Sequence, residues 1–209
     1  MPIKHSKYMI YGEIKINHRP FSHSKMKMIK NSLSFYLCLA LIPIMSSAYE
    51  QAFAKTNVGE FEIKTLPKAR LIASQTDAAY FDDNNRLFRP LFRYISSRDI
   101  AMTTPVEAEM NPGIMYFYID AEVRNEVLDA TENVSVHELP ERLVASLGVR
   151  GGYNEHNFNK ASAKLSAWLL KNPVYQATGT VRGIFWNGPF IPSFFKRFEV
   201  HIPVQLVKD

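Results

Sequence analysis

Phe61-Glu62-Ile63-Lys64-Thr65-Leu66-Pro67 returns later in the chain as Val134-Ser135-Val136-His137-Glu138-Leu139-Pro140. Leu71-Ile72-Ala73-Ser74 then returns as Leu143-Val144-Ala145-Ser146, with one residue fewer between the two motifs. This self-similarity is the strongest constraint on the fold, because each copy must be one supersecondary unit that stacks on the other. Each copy reads as an alternating strand, a Leu-Pro turn and a second strand. A segment of helical period follows each pair: Leu87, Leu91, Tyr94 and Ile95 in the first copy, Phe158, Ala161, Leu165, Trp168 and Leu169 in the second. Asn157 is the expected N-cap of the second helix and Asn172-Pro173 its stop. Strands are expected over 100–110 and 114–119, joined by a turn at Asn111-Pro112-Gly113, and over 175–185 and 197–206. The expected fold class is α+β, a pseudo-twofold repeat of β-β-α-β-β. It forms one distorted antiparallel barrel of about eight strands with two flanking helices, since curling hides the sheet edges. Neither half could bury its sheet face alone, so a single domain is expected over 59–207.

The net charge of +5 invites a nucleic-acid reading, but seven of the 25 basic residues lie in residues 1–48 against one acid, Glu13. From residue 49 onward there are 18 basic and 19 acidic residues. A phosphate backbone needs a basic footprint that this body lacks, so no nucleic-acid partner is expected. The basic N-terminal region reads as a targeting segment. Lys25, Lys27 and Lys30 precede the apolar run LSFYLCLALIPIM, and Ser46 and Ala48 fit cleavage after Ala48, with Ala52 and Ala54 offering a second site. The expected organisation is a dispensable extension over 1–25, a signal peptide over 26–48 starting at Met26 or Met28, and a linker over 49–58. Export to the periplasm or beyond follows; the alternative is anchorage by an uncleaved N-terminal segment.

The single cysteine, Cys38, lies inside the apolar run. The body therefore offers no disulfide, no thiolate nucleophile and no cysteine ligand for zinc or heme. Its histidines, His137, His156 and His201, have no metal-ligand spacing and read as solvated side chains, so no metal site is identified. Gly-x-Ser-x-Gly, Walker and Rossmann patterns are absent. Glu107 and Glu109 alternate with apolar residues and are expected to face solvent.

Ile100-Ala101-Met102-Thr103-Thr104-Pro105-Val106 resembles the I-x-M-T-x-P-V signature of the SOUL heme-binding family. Phe61-Glu62-Ile63-Lys64 is similar to that family's opening Y-E-I-R, 88–95 to its F-x-x-L-x-x-Y-I helix, and Arg197-Phe198-Glu199-Val200 to its closing R-N-E-V. Phe198 replaces the usual Asn and Phe61 the usual Tyr. The resemblance implies a distorted barrel of two repeated units that binds heme or another porphyrin without a common catalytic activity. Some members carry a proposed iron-ligating His after the opening motif; Thr65 stands there in this chain.

The candidate tetrapyrrole site has two walls. On the first helix, Phe88 and Phe92 form an aromatic row bordered by Asn85, Arg89 and Arg93, which suits a flat macrocycle and its propionates. The second wall is the loop carrying Trp186, Phe190 and Phe194, where exposed aromatic residues need a reason. An alternative ligand pocket involves Met102 and Glu199. The stretch 198–204 also resembles the end of GyrI-like small-molecule-binding domains, in which a Glu on the last strand meets cationic ligands. The expected function is therefore non-catalytic heme or porphyrin binding for carriage, buffering or sequestration. The alternatives are a GyrI-like binder or hydrolase centred on Glu199, and a protein or peripheral-membrane interaction module using the aromatic loop at 185–195.

Overall fold

The computed structural model describes residues 50–120, 123 and 128–207. The expected extension at 1–25 and signal peptide at 26–48 lie outside them. Strands β1 (Phe61–Leu66) and β2 (Ala69–Thr76) lead into helix α1 (Tyr80–Ser96), followed by β3 (Val106–Glu109) and β4 (Gly113–Tyr118). The second unit has β5 (Ser135–Leu139), β6 (Arg142–Arg150), α2 (Glu155–Leu169), β7 (Tyr175–Ala177), β8 (Arg182–Phe185) and β9 (Arg197–Leu206). The two copies thus adopt the β-β-α-β-β unit that the repeat predicts.

The units are exchanged rather than side by side. One antiparallel sheet runs β1-β6-β9-β8-β3-β4-β2-β5, with β7 also on β9. β1 of the first copy pairs with β6 of the second, Phe61 opposite Leu147, while β5 of the second pairs with β2 of the first, Val136 opposite Ile72. The path is symmetric about the β3–β8 pairing, where Val106 faces Phe185 and Ala108 faces Gly183.

Residues opposite one another across paired strands share a face, and successive residues alternate faces. One face carries Ile72, Ala108, Phe117, Ala145, Leu147, Phe185, Phe198 and Val200, all buried. Both helices pack on this face, α1 against β2 and β4, α2 against β6 and β9. α1 contributes Leu87, Leu91, Tyr94 and Ile95 and α2 contributes Phe158, Ala161, Leu165 and Leu169, the apolar faces read from the periodicity. The other face is polar at its centre and holds Glu107, Arg182, Glu199 and His201.

Three element boundaries differ from expectation. Asn154, not Asn157, caps α2: its Oδ1 accepts from the Asn157 amide at 2.9 Å, while the Asn157 side chain donates to the Gly152 carbonyl. The strand expected from residue 100 begins at Val106, because Pro105 brings no N–H to a ladder and the Thr103 hydroxyl donates to the Tyr118 carbonyl. The strand expected over 175–185 is split into β7 and β8. Both pair with β9, on the two sides of an interruption where the Thr178 amide donates to the Pro203 carbonyl.

Candidate functional site

Glu199 lies on β9 with Glu107 two strands away, because Glu107 pairs with Ile184 and Ile184 with Glu199. The expectation that Glu107 faces solvent fails: both carboxylates are 1% exposed. Polar and apolar residues do alternate between the faces, but the polar side of this sheet is itself covered. The cover is the segment 50–58, read from sequence as a linker. It forms bridges at Gln51–Thr104 and Val58–Gly148 and carries Phe53 over the centre of the polar face. The Phe53 ring lies 5.6 Å from that of Tyr118, 5.4 Å from Trp186 and 5.8 Å from His201, with the Lys64 ammonium 5.4 Å from its centroid.

Beneath that cover, both Glu199 oxygens are occupied. Oε1 accepts from the Thr56 amide at 2.9 Å and from Trp186 Nε1 at 2.7 Å. Oε2 accepts from Lys64 Nζ at 2.7 Å and His201 Nε2 at 2.8 Å, with the Ser146 and Thr56 hydroxyls at 3.0 and 3.1 Å. Burial alone would raise this carboxyl; the hydrogen bond from His201 and the Lys64 ammonium outweigh it and hold Glu199 at about 2. His201, expected to be solvated, is buried, and that burial holds its imidazole below the ordinary 6.5. It therefore donates to Glu199 as the neutral ring. Burial would raise Glu107 too, but the Arg142 and Arg182 guanidiniums, at 2.9 and 2.6 Å, keep it below the usual carboxylate range. Arg182 also reaches Glu109 at 2.8 Å, and the Tyr118 hydroxyl donates to Glu107. Within the described residues Arg142 Nη1 has no hydrogen-bond partner.

This network was missed residue by residue. Lys64, Ser146, Arg142 and Arg182 look like ordinary outward-facing residues of amphipathic strands, and nothing local says that Phe53 and Thr56 meet the first two or that Glu107 gathers the others. The one available signal was the pairing of Glu199 and His201 on a single face of an otherwise apolar strand.

The first-helix residues come together differently. Phe88, Arg89, Phe92, Arg93, Ser96 and Ser97 line an open groove of about 560 Å³ on the outer side of α1. Phe88 and Phe92 stack with centroids 5.5 Å apart and planes 16° from parallel, and Phe88 meets the core edge-on at Phe117. Phe92 is 48% exposed. Asn85 is exposed and is not among the lining residues. The expected second wall does not stand opposite. Trp186 alternates with Phe185 and so lies on the polar face, hydrogen-bonded to Glu199, with the sheet between it and α1. Phe190 and Phe194 are exposed on the β8–β9 loop, where Phe194 packs on Phe195. Met102 packs against the helix-side core, so it does not share a pocket with Glu199. His137 sits at the sheet end against Tyr116 and bonds Ser135, and His156 is exposed. Among the described residues no group of three or more His, Cys, Asp or Glu is arranged to hold a metal ion.

Two β-β-α-β-β units exchanged into one curled antiparallel sheet, with both helices on one face, define the class. The chain belongs to the SOUL heme-binding protein family, whose pattern it matches over residues 46–203. No curated protein sequence matches it. Among solved structures, the fold is similar to that of the EcmrR C-terminal domain, with a TM-score of 0.57 at 16% identity over 71% of this chain and 98% of that one. It is also similar to EcmrR in its DNA complex, with a TM-score of 0.58 at 16% identity over 88% of this chain and 69% of that one. At such identity the likeness is one of fold.

Proposed function

We propose that this protein binds a tetrapyrrole non-catalytically in the groove on α1, for carriage, buffering or sequestration. The observation that carries the reading is the stacked pair Phe88–Phe92, open to solvent and bordered by Arg89 and Arg93 within a groove of small-molecule size. The paired rings offer apolar aromatic surface for a macrocycle to pack on, and guanidiniums one helical turn apart suit two carboxylates at its edge. Family membership supports the same ligand class. Phe, Arg and Ser are not the usual axial ligands of heme iron, so the groove favours recognition of the macrocycle over recognition of the metal.

The rival site at Glu199 is less suited to a ligand. Both of its oxygens already have protein partners, and Phe53 and Thr56 occupy the space in front of them. Export, read from the Lys25 to Ala48 pattern, is part of the same proposal. Mass spectrometry of the exported fraction should then find an N-terminus near Tyr49 or Lys55.

Heme titration followed by Soret absorbance tests the function. Saturable binding is expected, weakened about tenfold by Arg93→Ala, which corresponds to about 1.4 kcal/mol. If Arg93→Ala and Phe92→Ala proteins with parental melting curves bind heme as tightly as the parent, the groove is not the site.

A further inference from the structure

Between Glu155 and Glu199 the chain contains no acidic residue, while Lys160, Lys164, Lys171, Arg182, Lys196 and Arg197 fall within that stretch. Arg182 is engaged by Glu107 and Glu109 on the polar face. Near the end of the stretch the chain leaves β8 and makes an excursion before β9. At its tip Phe190 is 96% exposed, Phe194 67% and Phe195 57%, and Ile191 is exposed beside them. A monomer rarely leaves this many large apolar side chains together in water without a use for them.

The tip is held out rather than loosely placed. At its neck the Asn187 amide donates to the Tyr153 hydroxyl at 2.8 Å, and Asn187 Oδ1 accepts from the Arg197 amide at 2.6 Å. The Trp186 amide donates to the Arg197 carbonyl at 3.2 Å and the Gly151 amide to the Lys196 carbonyl at 2.9 Å. Beyond the neck, Pro189 and Pro192 limit the backbone, and a single turn of 3-10 helix, Ser193–Phe195, is closed by the Phe195 amide on the Pro192 carbonyl at 2.9 Å. Arg150 stands opposite Arg197 in the β6–β9 register, and Lys196 lies with its ammonium 4.9 Å over the Tyr153 ring. Three cations therefore stand at the neck, behind an apolar tip.

We infer that the 186–196 excursion docks this protein on an anionic lipid surface, with Phe190, Ile191, Phe194 and Phe195 entering the interface and Arg150, Lys196 and Arg197 meeting the headgroups. The order of the two chemistries favours a bilayer over a protein groove. A membrane presents negative charge first and an apolar layer just beneath it, which matches cations at the neck and rings at the tip. The site is separate from the α1 groove and stands whether or not that groove binds a tetrapyrrole.

The apolar run at 33–45 is expected to bind lipid by itself, so the readout must come from the tip. An environment-sensitive dye placed on a Phe194→Cys variant in a Cys38→Ser background reports it directly. With phosphatidylcholine–phosphatidylglycerol vesicles the dye should shift to the blue and become shielded from an aqueous quencher. The shift should need at least tenfold more lipid with phosphatidylcholine alone, after Lys196→Glu, or in high salt. Phe190→Ser, at a side chain that contributes little to the fold, should raise the lipid requirement by at least tenfold while leaving the melting curve unchanged. A dye that stays exposed while the protein sediments with vesicles would overturn the assignment. So would a shift that requires no lipid and grows with protein concentration, which would mark the tip as a contact between copies of the chain.

Discussion

Thr56 and Glu199, 143 positions apart, are joined twice: the Thr56 amide donates to Oε1 at 2.9 Å and its hydroxyl lies 3.1 Å from Oε2. A residue just outside the repeated units thus supplies a main-chain donor to a carboxylate at the centre of the sheet. The segment 50–58 is consequently part of the stable structure of this domain.

That segment can lie so close because residue 148 has no side chain. A Cβ on Gly148 would sit 2.2 Å from the Asn57 carbonyl oxygen and 2.6 Å from that of Thr56. These are backbone atoms, which cannot swing aside as a side-chain tip would. Gly148→Ala is expected to lift the segment and to cost about 1–3 kcal/mol, as overpacking does. In a Trp168→Phe background, Trp186 emission should shift to the red as Phe53 leaves it, and denaturation should give the stability loss. Unchanged emission and stability would mean that the segment does not hold this position in solution.

Acid should weaken the fold in two stages. Burial keeps the folded His201 below its ordinary 6.5, so from that pH downward the unfolded chain takes up a proton that the folded one refuses, and stability falls. Glu199 adds a second loss. Its carboxyl titrates at 4.5 ordinarily and at about 2 in the fold, so its contribution is complete above 4.5 and disappears as the pH falls through 2. That difference is worth on the order of 3 kcal/mol. Urea midpoints measured across this range should show both stages, and Glu199→Gln should remove the lower one. A midpoint that is level from neutral pH to pH 3 would contradict the network.

Arg182 is the partner through which Glu107 and Glu109 are held together. Arg182→Met should destabilise the protein by about 3–5 kcal/mol, because it leaves Glu107 buried with less compensation. Adding Glu107→Gln should recover part of the loss. A double-mutant cycle by chemical denaturation measures this coupling, and strict additivity would show that the two side chains do not depend on each other.

For the α1 groove, the expected mark of macrocycle recognition is indifference to iron. Iron-free protoporphyrin should bind within about tenfold of heme, a difference of at most about 1.4 kcal/mol. A hundredfold preference for heme in parallel titrations would reveal an axial ligand outside the residues that line the groove.

The sequence made the architecture legible because the repeat copies periodicity, and periodicity sets which face is buried. Leu87, Leu91 and Ile95 declare the inner side of α1, and Phe88 with Phe92 declares the adjacent row that becomes the groove wall. What alternation cannot convey is whether a polar face meets water. Glu107 and His201 depart from expectation for that reason alone: Arg142, Arg182 and Tyr118 close on Glu107, and Phe53 lies against His201, all brought from elsewhere in the chain. Trp186 failed differently. Its neighbours mark it as part of an aromatic loop, yet its place one residue beyond Phe185 turns it to the opposite face of the sheet from Phe88.

The crossing of β1 onto β6 and of β5 onto β2 has a consequence for assembly. If β1, β2, β3 and β4 of one copy are set beside the same strands of a second copy, the path closes in the same order, end for end. In strand order the molecule has the pattern of a C2 dimer whose two subunits have been spliced into one polypeptide. A separate half has its first strand committed to a partner it does not contain, so it is expected to be soluble only as a pair. Splicing frees the halves from being identical, and here they differ: one helix bears stacked rings and guanidiniums, while the other half carries the projecting phenylalanines.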